Sequence, residues 1–259
     1  MRFATLCSGS SGNAAYIEAG DNRLLIDAGV SCRRICKLLE MVGGDARLLS
    51  GILVTHEHTD HINGINVLSK KYDLPVFANA ECWRSMMPLM SKVLASNIRV
   101  FESDKPFMLG ETKILPFTTM HDAIHPVGYV IEHRGSRIAV MTDIGHIDKR
   151  LLGILEGCKL VLIEANHDVD MLMAGSYPYQ LKKRILSGKG HLCNEDCGET
   201  LAILYQGGLR NAILGHLSSE NNDPMLARAT VLSILESHGI SDMNIVTAGR
   251  DAPSPIFEV

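Results

Sequence analysis

The sequence predicts an α/β (α+β) protein of two mixed β-sheets flanked by helices, and three observations carry the prediction. First, 46% of its 259 residues are apolar, enough for a sizeable buried core. Second, its longest apolar runs, such as 159–163 and 212–214, are strand-sized and far below the length that spans a bilayer. Third, short strands and helical patterns follow one another as meander, helices, meander, helices, with no Pro/Ser-rich linker, internal repeat or low-complexity stretch. Two sheets packed face to face with helices outside, in one domain over residues 1–259, satisfy that order.

The elements follow from local pattern. Residues 3–6, 14–18 and 23–26 read as short strands separated by SGSSGN and by the turn signal GDN. Ser31 caps a helix whose apolar residues Ile35, Leu38, Leu39 and Val42 recur at helical spacing, and Gly43-Gly44 ends it. A strand at 51–55, a helix at 62–71, a strand at 76–78 and a Met-rich helix at 81–94, interrupted near Pro88, come next. Met86, Met87 and Met90 read as gap-filling core. Strands return at 113–118, 127–132 and 137–141, with a Gly-Ser turn at 135 and 136. Helices at 149–156, 179–186, 195–205 and 224–237 then alternate with strands at 160–163, 211–214 and 244–246.

Composition narrows the function classes. There are 25 Lys+Arg against 29 Asp+Glu, a net charge of -4, so no overall basic excess advertises nucleic-acid binding. A local cluster of Lys182, Lys183, Arg184 and Lys189 is the exception, and a solvated helix face is its commoner meaning. The opening MRFATLCSGSSGN is too short in apolar residues for a signal peptide, and the seven scattered cysteines fit reduced thiols rather than a disulfide framework; both point to a cytoplasmic protein without a membrane segment. Cys32/Cys36 and Cys193/Cys197 lack the two-residue gap of a zinc knuckle and read as small buried apolar groups.

The strongest chemical signal is THEHTDH, which places His56, His58, Asp60 and His61 directly after a strand. The chain can turn there, so that 56 and 58 point one way and 60 and 61 another, serving two ions. A helix is the poorer alternative, because the helical zinc motif needs His at i and i+4 with Glu between. Further ligands must come from other strand ends, and His121, Asp143 and His216 each follow one. Five His and two Asp then suffice for two divalent ions with a shared water.

THEHTDH, together with Asp27, His121, Asp143 and His216, resembles the five-motif signature of the metallo-β-lactamase superfamily over nearly the whole chain, and the expected fold is its αββα sandwich. SGSSGN, MHDAIHPVGY, TDIG, EANHD, GHLCN and GHLSSENN resemble the YycJ/WalJ-like bacterial subgroup, described as 5'-to-3' DNA exonucleases. The resemblance implies that His56, His58 and His121 hold one metal, that Asp60, His61 and His216 hold the other, and that Asp143 bridges them. It also implies that Asp27 orients a ligand histidine. Cys193 stands where a serine is more familiar in the subgroup.

Two metal ions make a shared water acidic and clamp both oxygens of an in-line phosphoryl displacement, so no Ser-His-Asp nucleophile is required. Asp60 is then catalytic through its ion. A proton for the leaving oxygen falls to His191, in KGHLCN, or to His167, in EANHD. SGSSGN offers an anion-binding nest with Ser11 and Asn13 as substrate contacts, against a plain β-turn. Asn221 and Asn222 line or buttress the same mouth, or cap the helix before Pro224. The expected cofactors are zinc, manganese or iron, and the expected partner is DNA. The alternatives are a small or cyclic phosphodiesterase, a thioester hydrolase, and a non-catalytic metal-binding accessory protein.

Overall fold

The structure is a computed structural model that describes residues 1–259. The chain divides into two compact units, Met1–Thr118 with Ala123–Gly135 and Gly249–Val259, and Thr119–Asp122 with Ser136–Ala248.

The first unit opens with β1 (Arg2–Cys7), β2 (Ala14–Ala19) and β3 (Asn22–Ile26), the expected meander, antiparallel throughout. Helix α1 (Cys32–Met41) follows, with the Ser31 hydroxyl accepting from the Arg34 amide. Then come β4 (Gly51–Leu53), α2 (Thr59–Ile62), α3 (Ile65–Tyr72) and β5 (Val76–Asn79). Helix α4 (Ala80–Met86) stops well before the expected residue 94. Pro88 forces a 3-10 turn at Met87–Leu89, because proline brings no amide to continue the helix. Met86 and Met90 are buried as gap-fillers, whereas Met87 is 44% exposed. Strands β6 (Ile98–Phe101), β7 (Phe107–Leu109), β8 (Thr112–Thr118) and β9 (Val127–His133) complete this stretch; β6 and β7 were not foreseen.

In the second unit β10 (Ser136–Met141) leads to α5 (Lys149–Leu155), β11 (Leu160–Glu164), α6 (Val169–Ala174), α7 (Tyr179–Ile185) and α8 (Asn194–Gln206). Strand β12 (Asn211–Gly215), helix α9 (Pro224–Ser237) and β13 (Asn244–Thr247) close it. Its strands pair in parallel in the order β10-β11-β12-β13, and every residue of β11 is buried. A continuous apolar run such as LVLI, closed here by Glu164, is what a parallel sheet covered on both faces requires. A final strand, β14 (Phe257–Glu258), returns to the first unit and pairs with β1.

The first unit's sheet is mixed, in the order β14-β1-β2-β3-β4-β5-β6: antiparallel from β14 to β3, parallel from β3 to β6. The other strands are antiparallel over β7–β9 and parallel over β10–β13, which is the mixed pattern expected of a second set. Apolar faces of α1, α3 and α4 cover one side of the first sheet through Ile35, Leu39, Ile65, Leu68 and Trp83. All seven cysteines are free thiols, as expected. No helix is long and apolar enough to cross a membrane.

Parallel strands matter for function because their C-terminal ends lie at one edge of a sheet. Asp27 directly follows β3, Asp143 lies just after β10, Glu164 ends β11, and His216 directly follows β12.

Candidate metal centre

In the first unit the HEHTDH segment begins as a loop after β4 and becomes helical at Thr59, so Asp60 and His61 ride on the single turn of α2. The helix that the motif alone disfavoured is therefore present for its second half, while His56 and His58 remain in the loop. The turn is pinned by backbone bonds from Asn13 to Asp60 O, at 2.8 Å, and from Ala28 to His61 O, at 2.8 Å. Gly29 permits this approach, since a Cβ there would stand 1.6 Å from the Asp60 carbonyl oxygen.

Asp27 organises the histidines. Its Oδ1 accepts from the Thr55 amide at 2.8 Å, and its Oδ2 from the Thr55 hydroxyl and His61 Nδ1, both at 2.7 Å. The Thr55 oxygen in turn lies 3.0 Å from His56 Nδ1. With Nδ1 facing protein acceptors, both rings turn Nε2 toward the polar side chains around the α2 turn. His56 Nε2 and His58 Nδ1 converge to 3.1 Å, and Asp60 Oδ2 lies 3.6 Å from His61 Nε2. Asn13, expected at a substrate edge, is buried. Its Nδ2 reaches to 3.1 Å from His61 Nε2, while its Oδ1 accepts from Ser8 and Gly9 and folds the SGSSGN loop. Ser11 is exposed on that loop.

The second unit gathers His121, Asp143, Glu164, His191 and His216. Asp143 Oδ1 lies 3.6 Å from His121 Nε2, 3.5 Å from His216 Nδ1 and 3.9 Å from His191 Nδ1. The His121 separation is longer than a direct hydrogen bond and suits donors that share a cation, whereas the Nδ1 atoms of His191 and His216 meet Glu164. Asp143, Glu164, His191 and His216 each offer one ligand atom within 4.8 Å of the others. His121 Nδ1 donates to Gly190 O at 3.1 Å, which turns Nε2 toward the carboxylates of Asp122, at 3.3 Å, and Asp143.

Glu164 is the residue that sequence reasoning missed. It is fully buried, and its Oε1 lies 2.7 Å from His216 Nδ1 and 2.8 Å from His191 Nδ1; its Oε2 accepts from the amides of Ile144 and Leu192. Burial pushes its carboxyl up, but the two imidazoles outweigh burial and hold it down at about 2. Burial likewise pulls His191 down, and the Glu164 charge and hydrogen bond reverse this, leaving it raised. His121 is lowered by burial.

Backbone geometry marks the same residues. Asp27, Asp143 and His216 have φ of 60°, 55° and 54°, the left-handed region that side chains disfavour. Each such residue costs on the order of 1 kcal/mol and persists where the surroundings dictate it.

The other expected residues separate. His167 is 1% exposed, neither ring nitrogen has a partner, and burial lowers its pKa to about 4. Asn221 is buried, so it does not line an open mouth; its carbonyl accepts from the Asp168 amide. Asn222 is also buried, bonded to Ala165 O and Asn194 rather than capping α9, a role taken by Asp223. Of the basic cluster, Lys182 donates to Met173 O and Gly175 O and thus closes α6, and Arg184 pairs with Asp122. Lys183 and Lys189 are exposed. Cys193 Sγ accepts from the Asp196 amide at the start of α8, the capping role a serine would fill.

The donor set is that of a divalent-cation site. A family model described as a beta-lactamase superfamily domain matches residues 22–217. The chain is 38% identical over 239 residues to the exodeoxyribonuclease YycJ of Bacillus anthracis, covering 92% of this chain and 90% of the relative. It is 38% identical over 264 residues to the exodeoxyribonuclease WalJ of Streptococcus pneumoniae, covering 100% and 98%. Among solved structures it shares the fold of the metallo-β-lactamase fold protein YhfI from Bacillus subtilis, with TM-score 0.72, 18% identity and coverage of 100% and 99%. It also shares that of Zn(2+)-bound PqqB from Methylobacterium extorquens, with TM-score 0.71, 16% identity and coverage of 98% and 100%. Strand-end carboxylates and histidines, a matching family model and full-length relatives converge: the chain belongs to the metallo-β-lactamase superfamily, as a YycJ/WalJ-like member.

Proposed function

We propose that residues 1–259 act as one hydrolase domain, a dinuclear phosphodiesterase that removes nucleotides from the 5' end of DNA. The observation that carries the reading is the engagement of Nδ1 on His56, His61, His121 and His216 by Thr55, Asp27, Gly190 and Glu164. Rings anchored in this way are oriented ligands rather than incidental surface histidines. Identity of 38% over nearly the full chain to exodeoxyribonucleases supplies the substrate class.

In this reading His56, His58 and His121 would hold one ion and Asp60, His61 and His216 the other, with Asp143 available to both. Zinc, manganese or iron suits imidazole and carboxylate donors. Divalent ions held there would lower the pKa of a water and would stabilise charge on the displaced oxygen. Asp27 fixes the His61 ring. Glu164 holds His191 at Nδ1 and favours its protonated form, so that His191 carries a proton for the leaving oxygen. His167, neutral down to about pH 4, holds no such proton at neutral pH. Ser11, exposed on the SGSSGN loop, contacts substrate, while Asn13 supports His61 and Asp60.

The test is turnover by metal-stripped protein reconstituted with Mn²⁺ or Zn²⁺ on duplex DNA, bis-p-nitrophenyl phosphate and a thioester. Release of mononucleotides from DNA is expected. Cleavage of the small diester alone would assign a small-molecule phosphodiesterase, thioester cleavage alone a thioesterase, and metal binding without turnover an accessory protein.

A further inference from the structure

Three loops of the second unit carry the residues just described: 164–168 bears Glu164, 190–194 bears His191, and 215–222 bears His216. Buried asparagines join all three. Asn194 and Asn222 exchange amide hydrogen bonds, Nδ2 of each donating to Oδ1 of the other at 3.1 and 2.9 Å. Asn222 Nδ2 also donates to Ala165 O at 2.9 Å, and the Asn194 amide to His167 O at 3.0 Å. Asn166 completes the ring: its amide donates to Leu192 O at 2.8 Å, its Nδ2 to His216 O at 2.9 Å, and its carbonyl accepts from the Ser218 amide at 2.8 Å. Asn194 has no exposed surface, and Asn166 and Asn222 are 5% and 7% exposed.

This arrangement has a chemical logic. Side-chain amides offer donors and an acceptor together, so the buried Asn222 side chain meets a backbone carbonyl of one loop and the Asn194 side chain of another at once. Loops otherwise move independently, and a buried polar pair of this kind is formed only when its partners are in register. Asp, Ser or Ala at these positions removes a donor and leaves a buried carbonyl unmatched.

We infer that Asn166, Asn194 and Asn222 form a clasp that locks the loops bearing Glu164, His191 and His216 into one cooperative unit, making them positioning residues for the site. The catalytic consequence rests on the hydrolase reading above; the cooperative unit itself does not.

Hydrogen exchange on metal-free protein tests the clasp directly. In the wild type the amides of Asn166, Asp168, Asn194 and Ser218, which bond across the loops, are expected to share a protection factor within about threefold, as one opening unit does. Asn222→Ser and Asn194→Ser are each expected to raise exchange in all three loops together, leaving β10–β12 unchanged. Protection differing more than about tenfold between loops of the wild type, or acceleration confined to the substituted loop, overturns the clasp. In the reconstituted protein the same variants are expected to lower kcat roughly tenfold with KM within about twofold, because small displacements of positioned groups cost turnover rather than affinity. A wild-type kcat in a variant with loosened loops overturns the positioning role. Absence of DNA turnover by the wild type would strike the hydrolase reading, while the exchange result continues to decide the clasp.

Discussion

His191 Nδ1 lies 2.8 Å from Oε1 of Glu164, a carboxylate with no exposed surface at the end of β11. The pairing fixes which ring nitrogen of His191 faces away from Glu164, and the carboxylate charge and hydrogen bond raise the His191 pKa against the pull of burial. The same oxygen meets His216 Nδ1 at 2.7 Å, so one buried carboxylate orients two histidines.

Replacing Glu164 with Gln removes the charge and sets an amide against the donors of Ile144 and Leu192, which now meet Oε2. Activity is expected to fall roughly 10- to 100-fold, with some loss of metal affinity through His216. Steady-state kinetics beside metal analysis checks this; turnover equal to the wild type would remove the assigned role.

Asp27→Ala deprives His61 of its acceptor and leaves the Thr55 amide, in a buried setting, without one. Metal affinity is expected to drop about 10- to 100-fold, read by competition with a chromophoric chelator. An unchanged affinity would mean that the α2 turn alone orients His61.

His167 gives a pH dependence with a definite sign. Its ring is neutral in the fold, with its pKa lowered by burial to about 4, whereas an unfolded histidine takes a proton near 6.5. The unfolded chain binds more protons between those values, so stability is complete above about 6.5 and declines as the pH falls toward 4. The loss from this group is about 3 kcal/mol over the window, from the size of the shift. Denaturant melts of wild type and His167→Gln at several pH values check it; equal slopes in the two proteins would contradict the assignment.

Lys183 is exposed, while Lys182 is spent on the carbonyls of Met173 and Gly175. Lys183→Glu is expected to weaken binding to long DNA and reduce the salt slope by about 1, with cleavage of a small diester unchanged. Lys182→Glu should instead lower the melting temperature. Equal effects of Lys183→Glu on both substrates would remove this surface from the DNA path.

Much of the site was legible because its chemistry is contiguous or sits at visible strand ends. THEHTDH, Asp27, His121, Asp143 and His216 each follow a strand recognisable by its apolar run. Glu164 escaped because it closes the run LVLIE, where a terminal carboxylate resembles a surface residue. Only the parallel register, which places Glu164 opposite Gly215 and beside the His216 turn, gives it a role. A charged residue ending a strand buried on both faces was the available signal. The burial of Asn13, Asn221 and His167 was hidden for a similar reason: each lies in a polar loop whose depth depends on bonds to distant segments. Strands β6 and β7 are short and partly exposed, too brief for alternation to register.

The most direct test of the two-ion account compares wild type, His58→Ala and Asp60→Ala, each metal-stripped and reconstituted, for bound metal per chain and for release of 5'-labelled nucleotides from duplex DNA. The account predicts two ions and progressive loss from the 5' end in the wild type, with reduced metal and abolished release in both variants. Undiminished release by metal-depleted His58→Ala would contradict it.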